Sequence, residues 1–288
     1  MPELPEVEVI RRNIAPALVG RTIVRVTTTR PSYFFLTPPR ILARALSGRR
    51  IESLERHGKY LIAKLDDSSQ LLLHLGMTGQ LIAAGAKSPR LVSGGRGRVT
   101  PSTAFRPDSH THLGLELSGR GPIIYFSDVR KFGKVAWLAP GGQHERLEKL
   151  GVDALLATGE TLYKAARRRS TPIKSLLLDQ SVLAGVGNIY ADEALFLAKV
   201  RPTRAARRVK RDECAAIVAA AQKVMLRSIE TGGSSISDYV LPNGSDGGYQ
   251  NERHVYARGG EACKRCGSAI RRVVIATRST HFCPGCQS

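Results

Sequence analysis

Leu183-Ala184-Gly185-Val186-Gly187-Asn188-Ile189-Tyr190 decides how this chain folds. It lies between two Leu/Ala-rich segments of helical pattern, about 172–180 and 188–197, so residues 171–204 read as helix, glycine-rich turn, helix. Gly185 and Gly187 permit a tight turn whose backbone N–H groups face an anion. Asn188 stands at the start of the second helix, where the helix dipole and free N–H groups favour a phosphate. On the residues alone two readings stand: a generic helical hairpin, or one that grips a nucleic-acid backbone.

Toward the C-terminus a further helical pattern at about 210–231 gives way to a Gly- and Ser-rich stretch, Gly232 to Gly248. Four of the five cysteines follow within the last 26 residues, as Cys263-x-x-Cys266, sixteen residues, then Cys283-x-x-Cys286. Two such pairs joined by a hairpin converge on a tetrahedral four-sulfur site, which predicts one closed, structural Zn2+ rather than disulfides. Arg271, Arg272 and Arg278 lie on the intervening hairpin and make its surface basic. Cys214 lies in a helical pattern and reads as a buried small hydrophobe.

Toward the N-terminus helical segments at about 143–150 and 158–168 follow the break Pro140-Gly141-Gly142. Before that break the patterns are short, alternating and β-branched: Thr22–Thr29, Ile51–Arg56, Tyr60–Leu65, Gln70–His74, Gln80–Ala83, His112–Leu117, Pro122–Phe126 and Lys134–Leu138. They predict an antiparallel sandwich or barrel. Ala84–Ser109 is rich in Gly, Ser, Pro and Arg without apolar periodicity and reads as a mobile insertion. The chain opens with a helix. Val7, Ile10, Ile14 and Leu18 keep helical spacing, Pro5 and Glu6 suit its first turn, and Gly20 suits its end. The overall fold class is therefore α+β.

That first helix anchors Pro2 and Glu3 at its mouth. Once Met1 is removed, Pro2 carries a secondary amine, and a free α-amine has a reference pKa of about 8. A neutral amine can attack an electrophilic carbon and form an iminium. The plainer reading of Pro-Glu is a helix start.

Composition narrows the partner. Lys and Arg number 44 against 24 Asp and Glu, a formal net charge of +20, which calls for a polyanion such as nucleic acid. No run approaches a membrane span, and no basic region precedes an apolar core at the N-terminus, so a cytoplasmic protein is expected.

Taken in order, Pro2-Glu3-Leu4-Pro5-Glu6-Val7-Glu8, Gly185-Val186-Gly187-Asn188-Ile189-Tyr190 and the terminal four-cysteine finger resemble the formamidopyrimidine-DNA glycosylase (MutM, 8-oxoguanine DNA glycosylase) family over nearly the whole chain. The resemblance implies a bifunctional glycosylase and AP lyase of base-excision repair, monomeric, acting on double-stranded DNA with oxidised purines or abasic sites. It implies Pro2 as the Schiff-base nucleophile and Glu3 as proton donor. Lys59 and Arg278 would contact phosphate and assist proton transfer. His74 and Asn188 would contact phosphate, and Lys174 would take part in damaged-base processing. Met77, Arg130 and Phe132 would fill the hole left by the extruded base; by pattern alone Met77 and Phe132 read as core residues. Glu6 reads as a structural carboxylate at the helix end.

The implied organisation is a catalytic β-sandwich domain at 1–140 with the 84–109 insertion, and a helix-two-turn-helix domain at 143–232. A lesion-covering loop region would occupy 233–254 and the zinc finger 255–288. Three departures stand out: the length of the insertion, a loose match across Thr231–Tyr249, and Lys131 where a second arginine is common. Two alternatives remain: an endonuclease VIII-like enzyme for oxidised pyrimidines, and a non-catalytic zinc-finger DNA-binding protein.

Overall fold

The computed structural model describes residues 2–86, 105–235 and 239–288. Two compact units divide the chain: residues 1–144 with 231–250, and residues 145–230 with 251–288. Most of the predicted 84–109 insertion, residues 87–104, lies outside the described residues, as do 236–238 of the predicted covering loop.

In the first unit, helix α1 (Leu4–Leu18) is preceded by Glu3 at its cap position and has Pro5 in its first turn. Its N–H groups there have no helical acceptor, so a proline costs nothing. Val7, Ile10, Ile14 and Leu18 form its buried stripe, and Gly20 takes positive φ just past its end, as a helix-terminating glycine does. Strand β1 (Ile23–Thr28) follows. Helix α2 (Pro39–Leu46) comes next and has no counterpart in the sequence reading. The Pro38-Pro39 pair hides it: Pro39 starts the helix, while Leu42 and Leu46, four apart, are its only fully buried leucines.

The remaining strands match the alternating patterns closely: β2 (Ile51–His57), β3 (Tyr60–Leu65), β4 (Gln70–His74), β5 (Gln80–Ala83), β6 (Thr111–Leu117), β7 (Ile124–Ser127) and β8 (Lys134–Leu138). They form two antiparallel four-stranded sheets, ordered β1-β6-β7-β5 and β2-β3-β4-β8. Buried leucines, isoleucines and phenylalanines from both sheets share one core with α1 and α2. Phe34 sits at its centre, edge-on to Phe35 and Phe126 and against His112. Tyr239, from the later segment 231–250, joins the same core.

The second unit is mainly helical: α3 (Glu145–Glu148), β9 (Val152–Asp153), α4 (Gly159–Ala166), α5 (Ile173–Leu178), β10 (Leu183–Ala184), α6 (Asn188–Leu197) and α7 (Arg211–Glu230). The segment expected at 143–150 shortens to the four residues of α3, because none of them is buried to hold a longer helix. Helix α7 packs on α4 and α6. The unit closes with the hairpin β11 (Arg271–Ile275) and β12 (Arg278–Phe282), paired from Arg271↔Phe282 to Ile275↔Arg278. Among the described residues no helix is long and apolar enough to cross a membrane. Cys214 is buried in α7, and burial pushes its thiol up to about 11.

Candidate functional site

At the mouth of α1, Pro2 and Glu3 are both buried. The Glu3 N–H donates to Glu6 Oε2 at 2.9 Å, and the other Glu6 oxygen accepts the Ser234 N–H at 3.0 Å. Glu6 therefore holds the Glu3 main chain and also ties it to the segment 231–250. In that segment the Tyr239 hydroxyl donates to the Gly232 carbonyl at 3.1 Å. Burial, then the neighbouring Glu6 charge, pushes the Tyr239 phenol well above its ordinary range.

One turn further along α1, Glu8 collects three arginines. Arg11 and Arg12 reach its Oε1 at 2.8 and 2.7 Å, and Arg11 and Arg56 reach its Oε2 at 2.9 and 3.1 Å. Burial works to raise the Glu8 carboxyl. The hydrogen bonds from Arg11 and Arg12, with the charges of Arg11 and Arg56, win and hold it at about 2. Arg56 also donates to the Gly58 carbonyl at 3.1 Å. Gly58 and Lys59 form the two-residue turn between β2 and β3, where the positive φ of Gly58 suits a tight hairpin. Glu8 and Arg56 thus connect the helix that presents Pro2 to the turn that presents Lys59, which is half-exposed.

Lys59 lies next to the Tyr60↔His74 pair, so the turn and the end of β4 are neighbours. The His74 ring sits 4.6 Å from the Tyr60 ring, and its Nδ1 accepts the Gly76 N–H at 3.2 Å. That bond starts the turn carrying Met77, which is half-buried. Arg130 and Phe132 occupy the loop between β7 and β8. Phe132 is 43% exposed, and the Arg130 guanidinium lies 4.6 Å over its ring. Neither Met77 nor Phe132 belongs to the apolar core.

The second unit brings Asn188 and the zinc-finger hairpin together. Asn188 opens α6 directly after the glycine turn, and its Nδ2 donates to the Ser279 carbonyl at 2.9 Å, beside Arg278. Arg278 itself is exposed at the start of β12. Lys174, which the resemblance gave a part in damaged-base processing, is 0% exposed. Its ammonium bonds Asp192 Oδ1 at 2.7 Å, Thr280 Oγ1 at 2.8 Å and the Ser279 carbonyl at 3.0 Å. Asp192 Oδ2 in turn accepts the His281 N–H at 2.8 Å. A lysine is buried only when its charge and donors are met, and here they are met by α6 and β12. Lys174 is a joint between the helical hairpin and the finger.

Below it the four predicted ligands converge. All sulfurs of Cys263, Cys266, Cys283 and Cys286 lie within 4.8 Å of one another, and none is in a disulfide. The Cys266–Cys283 and Cys263–Cys286 separations are 3.4 and 3.9 Å. A tetrahedron of thiolates about 2.3 Å from Zn2+ has edges of about 3.8 Å, so the cage fits one structural metal ion. The finger is braced from outside as well. Buried Glu193 accepts the Val255 and Tyr256 N–H groups at 2.9 Å each, and the His254 N–H at 2.8 Å. Burial works against its charge, yet the bonds from His254 and these amides keep the carboxyl below the usual range.

The residues 1–135, 150–240 and 260–288 match, respectively, the models of the formamidopyrimidine-DNA glycosylase N-terminal domain, the H2TH domain of the same glycosylases, and a zinc finger found in FPG and IleRS. A formamidopyrimidine-DNA glycosylase of Thermomicrobium roseum is 39% identical, with 100% of this chain and 99% of the relative covered. The crystal structure of the MutM (FPG) protein from Thermus thermophilus superposes with a TM-score of 0.83 at 36% identity, covering 99% of this chain and 98% of that one. A Lactococcus lactis FPG variant in complex with a Fapy-dG-containing DNA gives a TM-score of 0.83 at 33% identity over 100% of both chains.

Proposed function

The chain belongs to the formamidopyrimidine-DNA glycosylase family, and from that membership we propose how its own residues carry out base excision on oxidised DNA. After removal of Met1, the Pro2 nitrogen attacks C1′ of the damaged nucleotide. The glycosidic bond breaks and the base departs with the electron pair. Glu3 protonates the sugar ring oxygen, which opens the ring and leaves an iminium between Pro2 and C1′. Loss of a C2′ proton then expels the 3′-phosphate, and a second elimination expels the 5′-phosphate. Lys59 and Arg278 receive the flanking phosphates, Arg278 with a fork suited to two oxygens. Met77 and Phe132 occupy the space of the extruded base, and Arg130 meets the widowed cytosine. The structural zinc ion holds the hairpin that carries Arg278. The enzyme works in the cytoplasm on the nucleoid, with 8-oxoguanine and formamidopyrimidines as substrates.

The observation that carries this reading is the buried Pro2-Glu3 pair at the mouth of α1, whose Glu3 N–H is held by the Glu6 carboxylate. A protein that only binds DNA has no use for a processed proline amine kept in place this way. Borohydride reduction with a duplex containing 8-oxoguanine opposite cytosine should trap a covalent complex, and mass spectrometry should locate it on Pro2. DNA-bound protein that gives no trapped species rules out the glycosylase/lyase reading. Pro2→Gly should keep DNA affinity and lose trapping; full trapping by that variant would mean another nucleophile.

A further inference from the structure

The carboxylate of Asp128 belongs to no step above, yet it is fully buried between the two loops that carry Met77, Arg130 and Phe132. Oδ1 accepts the Thr78 hydroxyl at 2.5 Å and the Arg130 N–H at 3.2 Å, and Oδ2 accepts the Gly133 N–H at 2.6 Å. Thr78 is the residue after Met77, and Gly133 is the residue after Phe132. Every wedge residue is therefore a clamp partner of Asp128 or the immediate neighbour of one. The loops also touch directly. A Cβ on Gly76 would lie 2.5 Å from the Gly133 nitrogen and from the Phe132 carbonyl carbon, so only glycine permits the approach. Arg130 is pinned on its other side too, because the Tyr33 hydroxyl donates to its carbonyl at 2.8 Å. Asp128 itself is held by main-chain bonds: its N–H donates to the His110 carbonyl at 2.8 Å, and its carbonyl accepts His112 Nε2 at 2.9 Å.

We propose that Asp128, acting through Thr78, Arg130 and Gly133, is the positioning residue that locks the two wedge loops into one pre-set unit for base extrusion. The inference rests on the wedge role given to Met77, Arg130 and Phe132. Three side chains from two loops must enter one vacated step together. A set already fixed in that geometry loses little freedom on insertion, whereas separate loops would each have to be ordered at that moment. An ionised carboxylate suits the task because it only accepts, and all three of its partners here donate. Asp128 bonds neither Pro2 nor Glu3, so it acts on extrusion and not on the chemistry at C1′.

Two substrates separate these roles. A preformed abasic site in a single-stranded oligonucleotide has no opposite base and leaves no stacked gap to fill. Asp128→Asn should cleave and trap it within about twofold of the unsubstituted enzyme. Single-turnover excision of 8-oxoguanine from a duplex should fall by roughly ten- to a hundredfold, as loss of a charge-assisted clamp implies. The fluorescence rise of 2-aminopurine placed opposite the lesion, which reports wedge insertion, should shrink in parallel. Thr78→Val should show the same split more weakly, and Thr78→Ser, which keeps the hydroxyl, should restore both readouts. The Thr78 pair also carries the test if Asp128→Asn does not fold. Unchanged duplex excision by Asp128→Asn, or an equal loss on both substrates by Thr78→Val, overturns the proposal. Failure of the unsubstituted enzyme to trap an abasic site in either single-stranded or duplex DNA would instead overturn the role of Pro2.

Discussion

At the scale of single residues, two buried charges make predictions of different kinds. Glu8 has its carboxyl held at about 2 against an ordinary 4.5, so its ion pairs stabilise the fold fully above the unfolded value. That contribution is lost as pH falls from about 4.5 through about 2. Glu8→Gln should flatten the acid limb of the stability curve across that window and cost about 2 kcal/mol at neutral pH, since charge-assisted hydrogen bonds go. Urea titrations at pH 7 and pH 3 read this directly; an unchanged acid limb would deny Glu8 its part. Lys174 is tested by its removal. Lys174→Met leaves Asp192 buried beside His281 without its main counter-charge, a loss of about 3 kcal/mol. A variant of normal stability that has lost 8-oxoguanine excision would instead support the damaged-base role that the family resemblance implies for Lys174. Nothing local marks Lys174 as buried, because its partners Ser279 and Thr280 lie 105 and 106 residues away.

At the scale of elements, the finger depends on its metal for more than the four bonds. Cys263 and Cys283 sit in one apolar cluster with Phe196, Val255 and Ile270, so releasing the ion also loosens a small core. Cys283→Ser should therefore lose bound zinc and weaken duplex binding while the first unit keeps its fold. Elemental analysis with gel-shift titration reads both, and undiminished binding would separate the finger from the DNA. Local chemistry made such elements legible. CxxC spacing has one economical use in a basic chain, Pro5 and Gly20 bracket α1, and alternation located the eight strands of the sandwich. What stayed hidden depends on partners brought from afar. Helix α2, which opens at Pro38-Pro39, had no counterpart in the sequence patterns. Asp128 stood two residues before Arg130, a spacing at which aspartate often caps its own loop, and that was the available signal. Its link to Thr78 spans 50 residues and could only be seen in the fold.

At the scale of the whole molecule, the excess of 44 basic over 24 acidic side chains sets how the protein meets any duplex, damaged or not. Each phosphate neutralised by a lysine or arginine releases condensed counterions, so affinity falls with salt at a slope of about −0.9 per contact. With about six phosphates engaged, the slope of log K against log salt should be near −5, and similar on undamaged DNA, because phosphates carry no lesion information. The chemical step should behave differently. Once bound, the enzyme should excise at a rate nearly independent of salt, since Pro2 and Glu3 are buried and screening acts mainly on exposed charge. Arg278→Gln should lower the slope by about one on both damaged and undamaged duplexes. Asp128→Asn should leave it unchanged, because that carboxylate is buried on Thr78, Arg130 and Gly133. Affinity titrations from about 50 to 300 mM salt, paired with single-turnover rates at saturating enzyme, separate the two behaviours. A slope near zero would remove the phosphate-dominated interface, and an excision rate that fell as steeply as affinity would mean that screened surface charges take part in the reaction.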